Sequence, residues 1–218
     1  MIKNDNNNNN YKINYQSIAG SSSSSLKNGE TLSVLFTGVG GQGIILATTV
    51  LANAAINAGY DVKVSEVHGM AQRGGSVEGS VRIGKKVFSP TINSADFIVA
   101  LEKLEALRYA RKLKEGGFML VSDYSIYPST VFSGDVSYPE NAEEMLFKFT
   151  ENFFFINAVE KAKNLGNTRV SNTIMVGALS LMMPFGQDCW LDAIKDSVPG
   201  KALQINIEAF KSGRDFLK

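Results

Sequence analysis

Residues Gly38–Gly43 read GVGGQG, and this stretch decides the fold. It follows the apolar run LSVLFT (Leu32–Thr37) and precedes IILATTVLANAAINAG (residues 44–59). A short apolar run without charge is typical of a buried strand, and the three- and four-residue spacing of the apolar residues after the glycines predicts a helix that Gly59 ends. Four glycines between a strand and a helix indicate that the backbone passes close to something at this turn.

Outward from this turn, strand-like and helix-like patterns alternate along most of the chain. Further strands are predicted at DVKVSEV (61–67), DFIVAL (96–101), FMLVSD (118–123) and NFFFI (152–156). A helix is predicted between the second and third of these runs, from Glu102 to a stop at Gly116, and the chain after Ser171 is mostly helical. This alternation predicts an α/β fold of Rossmann-like type, with a mostly parallel sheet flanked by helices and a helical C-terminal part.

The stretch SVEGSVRIG (76–84) has a different pattern, because its apolar residues alternate with polar ones. Val77, Val81 and Ile83 fall on one face of a strand, which predicts that this face meets the core and the opposite face meets water or a partner. Gly84 and Lys85 predict a two-residue turn into Val87 and Phe88. We therefore expect a β-hairpin after the second strand.

Three helical segments are predicted after residue 170. Ser171 or Asn172 is a candidate N-cap for TIMVGALSLMM, which Pro184 ends and which is expected to lie in the core, and WLDAIKDSV and ALQINIEAFKSGRDFLK follow it. The apolar run that contains TIMVGALSLMM is 13 residues long. A membrane-spanning helix needs about 20 residues, so no membrane span is predicted.

Composition separates an N-terminal tail from the rest. Residues 1–31 carry the low-complexity tracts NDNNNNN and SSSSS, which cannot bury enough apolar surface to fold, so we expect a disordered tail. Residues 32–218 are predicted to form a single domain. The tail has neither an apolar signal core nor an Arg-rich composition, and the formal net charge of +1 gives no attraction to nucleic acid or anionic membrane. A cytoplasmic protein without a nucleic-acid or membrane partner is expected.

Gly38–Gly43 satisfies the pattern G-x-G-x-x-G at the position where a dinucleotide-binding fold carries it. In that fold an acidic residue near the end of the second strand holds the ribose, and Glu66 lies about 20 residues beyond the last glycine. The same glycines would also permit a tight turn and close packing of helix on sheet. The spacing alone leaves both interpretations open.

After the second strand, the segment EVHGMAQRGG (66–75) has no helical face of useful length. It predicts a glycine-hinged loop that presents Arg73, whose guanidinium is a suitable ligand for an anion or a carboxylate, and with it His68 and Gln72. Two alternatives stay open: Arg73 in a structural salt bridge, and His68 as a hydrogen-bonded structural residue.

Several chemistries are excluded by residue counts. One His and one Cys cannot build a zinc or iron–sulfur site within the chain, and Cys189 lies between helical segments, where packing is its expected role. No Lys-Ser/Thr pair follows the glycines, so there is no P-loop. No catalytic residue is predicted in this chain.

Taken together, GVGGQGIILATTVLANAAINAG, VKVSEVHGMAQRGGSVEGSVRIG and VFSPTINSADFIVALEKLEALR resemble the gamma-subunit family of 2-oxoacid:ferredoxin oxidoreductases. Within that family, EVHGMAQRGGSVEGSVRIG is most similar to the beta subunits of indolepyruvate ferredoxin oxidoreductases. SNTIMVGALS and INIEAFKSGRDF agree with this. The resemblance covers residues 32–216 in order, and only the Asn/Ser-rich tail departs from it.

The resemblance implies a subunit of an enzyme that is inactive alone. A larger alpha subunit would hold thiamine diphosphate, Mg and 4Fe-4S clusters. The complex would oxidatively decarboxylate an aryl pyruvate such as indolepyruvate to the acyl-CoA, with CoA as co-substrate and ferredoxin as the electron acceptor. This chain would bind none of those cofactors alone and no metal.

The resemblance also implies roles for the two glycine-rich segments. Gly38, Gly40, Gly41 and Gly43 would close the first βα turn, with Gln42 exposed at its tip. The second segment would face the active-site region of the larger subunit or an anion such as a CoA phosphate; its residues are Glu66, His68, Gln72, Arg73, Gly74 and Gly75. The alternative is a stand-alone dinucleotide-binding or regulatory module, in which Glu66 would be a ribose ligand.

Overall fold

The computed structural model describes residues 26–27, 29–68, 75–127, 137–139 and 141–217, which form six β-strands and seven α-helices. The strands are β1 (Thr31–Val39), β2 (Asp61–His68), β3 (Ser76–Gly84), β4 (Ala95–Ala100), β5 (Leu113–Ser122) and β6 (Phe153–Ile156). The helices are α1 (Ile44–Asn57), α2 (Lys103–Tyr109), α3 (Ala142–Phe147), α4 (Ala158–Asn164), α5 (Ser171–Leu179), α6 (Gln187–Ser197) and α7 (Gly200–Arg214).

All six strands belong to one sheet in the order β2-β3-β1-β4-β5-β6. β1, β4, β5 and β6 are parallel neighbours, whereas β3 pairs antiparallel with both β1 and β2. Five strands therefore run in one direction and β3 alone runs in the other. The predicted mostly parallel α/β fold is confirmed, and the carboxyl ends of the five parallel strands lie along one edge of the sheet.

The two faces of the sheet are covered unequally. One face packs against α1 and the C-terminal helices α4–α7, and its buried side chains form the larger core, which includes Phe36, Phe118, Trp190 and Phe210. The other face packs against the short helices α2 and α3 around a smaller core that includes Leu35 and Leu146. The TIMVGALSLMM segment lies in the larger core, as predicted.

The predicted β-hairpin is present in a different form. Val87 and Phe88 do not form a strand; β3 instead pairs with β2 on one side and with β1 on the other. Because both edges of β3 are occupied, no edge is left for a second arm after Gly84. The chain that follows crosses the polar face of β3, where the Pro90 carbonyl accepts a hydrogen bond from Ser80 Oγ at 3.2 Å. That face is therefore partly covered by the chain itself.

The helix predicted from Glu102 to Gly116 is shorter than expected. α2 ends at Tyr109, a 3₁₀ turn covers Ala110–Lys112, and β5 begins at Leu113. Gly116, with φ 72°, lies inside β5, where the pairing with β4 is irregular. A salt bridge of 2.7 Å joins Lys114 Nζ of β5 to Asp96 Oδ1 of β4 across this irregular region.

The N-terminal boundary lies slightly earlier than predicted. Thr31, assigned to the tail, is the first residue of β1, and Leu26 packs half-buried against the larger core. Residues 1–25 lie outside the described residues, so the disordered tail stays a prediction. No helix in the described part of the chain combines the length and the apolar character that crossing a membrane requires.

Two glycines allow α5 and α7 to approach backbone to backbone. A Cβ added at Gly177 would overlap the carbonyl oxygen of Phe210, and one added at Gly213 would overlap the carbonyl oxygen of Ile174. Since backbone atoms cannot move aside as a flexible side chain can, any larger residue would separate the two helices.

We expect Gly213→Ala to lower the free energy of unfolding by about 2–3 kcal/mol or more, because its methyl group has no space. Gly200→Ala is the matched control in the same helix, since nothing lies within 4 Å of the added Cβ. That control should leave stability unchanged or raise it by up to about 1 kcal/mol. Urea denaturation of both variants measures the difference, and equal costs would contradict the close approach.

Candidate functional site

The glycine loop, defined as residues 38–43, lies between β1 and α1 at the carboxyl edge of the sheet. Gly41 and Gly43 have φ of 101° and 81°, a left-handed conformation that residues with a side chain rarely adopt. Gly43 is the N-cap of α1. Gly38 has little space, because an added Cβ would lie 2.7 Å from Gln42 Oε1 and 3.2 Å from the Cβ of Leu101, just beyond β4. The glycines thus serve a sharp turn and a close approach to the end of β4.

Gln42 does not project from the tip of the loop, which corrects the expectation of an exposed side chain. Its Oε1 accepts a hydrogen bond from the Val39 amide at 2.7 Å, and its Nε2 donates to the Leu101 carbonyl at 2.8 Å. The carboxamide is folded back because it satisfies backbone groups that the turn leaves unpaired. Gln42 therefore holds the loop closed from inside and ties it to the end of β4.

Asn172, a candidate N-cap of α5 by sequence, has another role in the structure. The N-cap of α5 is Val170, while Asn172 is 2% exposed and donates from Nδ2 to the Gly43 carbonyl at 3.0 Å. A Cβ on Gly43 would overlap this same amide nitrogen. The backbone of the turn passes close to a side chain of α5 at this point, so the structure favours the close-packing interpretation of the glycines.

Glu66 lies on β2, and β3 separates it from the glycine loop. Its Oε1 accepts a hydrogen bond from Thr48 Oγ1 of α1 at 3.0 Å. Because β3 lies between β1 and β2, the two parallel strands are about 10 Å apart, two strand spacings instead of one. The Gly40 amide also donates to the Gly75 carbonyl at 2.9 Å, just before β3 begins. A ribose held between Glu66 and the glycine loop would have to displace this chain, which argues against dinucleotide binding.

The second glycine-rich segment is described only at its ends. His68 is the last residue of β2 and its backbone is in register with Val77, and Gly75 contacts the glycine loop as given above. Gln72, Arg73 and Gly74 lie outside the described residues. Their predicted roles stay predictions.

Two buried glutamates at the start of α2 form hydrogen bonds with distant segments of the chain. Glu105 is 3% exposed, and its Oε2 accepts hydrogen bonds from Ser76 Oγ, at the start of β3, and from Thr37 Oγ1, near the end of β1. Its Oε1 pairs with Arg108 Nη1 at 3.0 Å. One carboxylate therefore links β1 to β3 by hydrogen bonds next to the glycine loop.

Glu102 is 1% exposed and is the N-cap of α2, since its Oε2 accepts from the Glu105 amide at 3.0 Å. Its Oε1 accepts from the Ile126 amide at 3.1 Å and from the Tyr138 hydroxyl. Glu102 thus holds the chain beyond β5 at the same edge. Sequence reasoning missed both glutamates as site residues. The available signal was the pattern E-x-x-E after the strand DFIVAL, which is typical of a helix start but does not by itself indicate a buried network.

Burial raises the pKa of Glu105, and the charge of Glu102 adds to this; Ser76, Arg108 and Thr37 act in the opposite direction. Burial and the hydrogen bond to Glu102 raise the pKa of Tyr138, so its hydroxyl is a donor at neutral pH. Among the described residues, no three His, Cys, Asp or Glu side chains are grouped closely enough to hold a metal ion.

A family profile described as pyruvate ferredoxin/flavodoxin oxidoreductase matches residues 33–216. The chain belongs to this family. It is 40% identical over 188 residues to indolepyruvate oxidoreductase subunit IorB of Archaeoglobus fulgidus, a match that covers 84% of this chain and 93% of that protein. Subunit IorB of Thermococcus kodakarensis is 38% identical over 187 residues, covering 83% of this chain and 93% of the relative. The resemblance inferred from the sequence motifs is therefore confirmed.

Solved structures of the family agree with the fold. The gamma subunit of a keto/oxoacid ferredoxin oxidoreductase from Geobacter sulfurreducens superposes with a TM-score of 0.65 at 25% identity. The match covers 86% of this chain and 97% of that subunit. The six-stranded sheet with its flanking helices is thus the architecture of a whole family subunit.

We expect Gly43→Ala to destabilise the protein more than Gly41→Ala. Both substitutions place a side chain in the left-handed region, at about 1–2 kcal/mol each, but only the methyl group at position 43 meets Asn172. The additional cost should be about 1 kcal/mol or more. Urea denaturation of Gly43→Ala in the wild-type and Asn172→Ala backgrounds measures it. An equal cost in both backgrounds would contradict the contact.

We expect Glu105→Gln to gain stability relative to the wild type as the pH rises from about 4 to neutral. Because burial raises the pKa of Glu105, the folded chain holds this proton to a higher pH than the unfolded chain does. Ionisation of Glu105 therefore lowers the free energy of unfolding above about pH 4.3, the ordinary pKa of a glutamate. Glutamine cannot ionise and escapes this loss. Urea unfolding of both proteins at several pH values measures the difference, which should grow with pH; a constant or shrinking difference would contradict it.

Proposed function

We propose that this chain is the subunit without resident cofactors of a 2-oxoacid:ferredoxin oxidoreductase that acts on indolepyruvate or a related aryl pyruvate. The complex oxidatively decarboxylates the 2-oxo acid to the acyl-CoA and passes the electrons to ferredoxin. The observation that carries the proposal is the identity of 38–40% to two indolepyruvate oxidoreductase subunits over 93% of their length. Its test is reconstitution with the larger subunit.

The cofactors belong to the larger alpha subunit in this proposal. A four-iron cluster takes four cysteine ligands, and this chain has a single Cys in its whole sequence. The residues present therefore do not fit such a cluster, and no step of the reaction passes through one on this chain. Thiamine diphosphate, Mg and the 4Fe-4S clusters are assigned to the larger subunit, with CoA as co-substrate.

The carboxyl edge is the surface that we assign to the larger subunit. The glycine loop and the end of β2 lie at this edge, and Arg73 is expected to act there because it follows β2 in the chain. Two observations support a docking role over a nucleotide site: β3 separates Glu66 from the glycine loop, and the Val39 and Gly40 amides already have partners within the chain. A permanent complex should bury upwards of about 2,000 Å². The cytoplasmic location stays a prediction.

We expect the purified chain to have no oxidoreductase activity alone and to support turnover once the larger subunit is added. The larger subunit holds the redox groups, whereas this chain supplies binding surface. The assay follows ferredoxin reduction with indolepyruvate and CoA, with each subunit alone as controls. Turnover of a 2-oxo acid by the isolated chain would contradict the proposal, as would an absence of any effect of this chain on the larger subunit.

Calorimetry with NAD on the isolated chain tests the dinucleotide-binding alternative. No binding is expected, because Glu66 is engaged by Thr48 and lies across β3 from the glycine loop. Tight NAD binding that is lost in Glu66→Ala would favour the alternative and contradict this assignment.

A further inference from the structure

We propose that Glu105 is a positioning residue for the edge that meets the larger subunit, because its carboxylate fixes the start of β3 relative to the glycine loop. The inference rests on the proposed function. Glu105 is buried and cannot itself touch the larger subunit. It would affect binding of that subunit through Ser76 and Thr37, which it accepts hydrogen bonds from.

The contacts of Glu105 join segments that are distant in sequence. Ser76 donates to it from the first residue after the glycine-rich segment, and Thr37 donates from the residue just before the glycine loop. These two donors lie on the neighbouring antiparallel strands β1 and β3. Just beyond the paired residues, the Gly40 amide donates a further hydrogen bond to the Gly75 carbonyl. The carboxylate therefore fixes Thr37 relative to Ser76, the two residues at which the glycine-rich segments join the sheet.

The ionised form of Glu105 is the form that makes this arrangement. A carboxylate only accepts, and Glu105 receives two hydroxyl donors on one oxygen and a guanidinium on the other. A proton on Oε1 would leave Arg108 without its acceptor, and a proton on Oε2 would force one of the two hydroxyls to turn from donor to acceptor. Hydrogen bonds to a charged acceptor are also stronger than those to a neutral one.

The charged and titratable neighbours of this cluster are few among the described residues. Arg108 and Glu102 face Glu105 from its own helix. On β3, Glu78 pairs with Lys112 at 2.8 Å, and the Lys112 ammonium lies over the Tyr109 ring, whose hydroxyl is 3.4 Å from Ser76 Oγ. The Glu78–Lys112 pair is complete without Glu105, so Glu78 provides a matched control of the same residue type on the same strand as Ser76.

The experiment measures the affinity of the full chain for its larger subunit from neutral pH down to the lowest pH at which both subunits stay folded, because a glutamate of raised pKa takes up its proton sooner on acidification than an ordinary one. At the upper end, Glu105→Gln should bind about tenfold more weakly than the wild type, which is the difference between a hydrogen bond to a charged and to a neutral group. The ratio of the two dissociation constants should fall toward one as the pH is lowered and the wild-type carboxylate takes up its proton. Glu78→Gln should follow the wild type at every pH.

A second pair of variants covers the case in which Glu105→Gln fails to fold. Ser76→Ala removes the donor on β3 without changing any charge and should weaken binding, and Ser76→Thr should restore it because it keeps the hydroxyl. Circular dichroism and urea unfolding verify that each variant is folded.

The outcomes separate this inference from the proposed function. A wild-type chain that does not bind the larger subunit at all would contradict the proposed function. If the wild type binds but the ratio of the Glu105→Gln and wild-type dissociation constants stays constant across the pH range, Glu105 has a merely structural role and the inference is overturned. The inference also fails if Glu78→Gln reproduces the effect, or if Ser76→Ala binds like the wild type.

Discussion

β3 runs antiparallel between β1 and β2 and is paired along its length with both of them. This single reversed strand moves the end of β2 one strand further from the glycine loop than a simple β-α-β unit would place it. It also returns the chain from β2 to the glycine loop, where Gly75 contacts Gly40. Two backbone amides of a loop that resembles a nucleotide-binding turn, those of Val39 and Gly40, are thus paired within the chain.

The start of α2 organises the same edge from the opposite face of the sheet. Glu105 reaches toward β1 and β3, while Glu102 reaches toward the chain beyond β5. Two carboxylates one helical turn apart are costly to bury, and each here is offset by at least three hydrogen-bond donors or ion-pair partners. Burial of this kind is expected where an arrangement must be specific, since a weaker network would let the neighbouring loops adopt several positions.

The main order of elements could be predicted from the sequence because local patterns determine it. β1, α1 and the Gly59 stop follow from apolar spacing and glycine, and the family followed from motifs in a fixed order. Contacts over long sequence distances could not be predicted. Gln42 folds inward because Leu101 lies beside it, and Asn172 leaves its capping role because Gly43 is near. α2 ends early where the following chain pairs with β4 from Leu113 on. Each correction depends on a partner that no local window contains.

The contact between Asn172 and the Gly43 carbonyl has a consequence for the order in which the chain is made. The two residues are 129 positions apart, so the turn after β1 reaches its final surroundings only once Asn172 has been synthesised. Until then the Gly43 carbonyl lacks the side-chain partner that it has in the folded chain. The surroundings of the first βα turn thus depend on a helix near the other end of the chain.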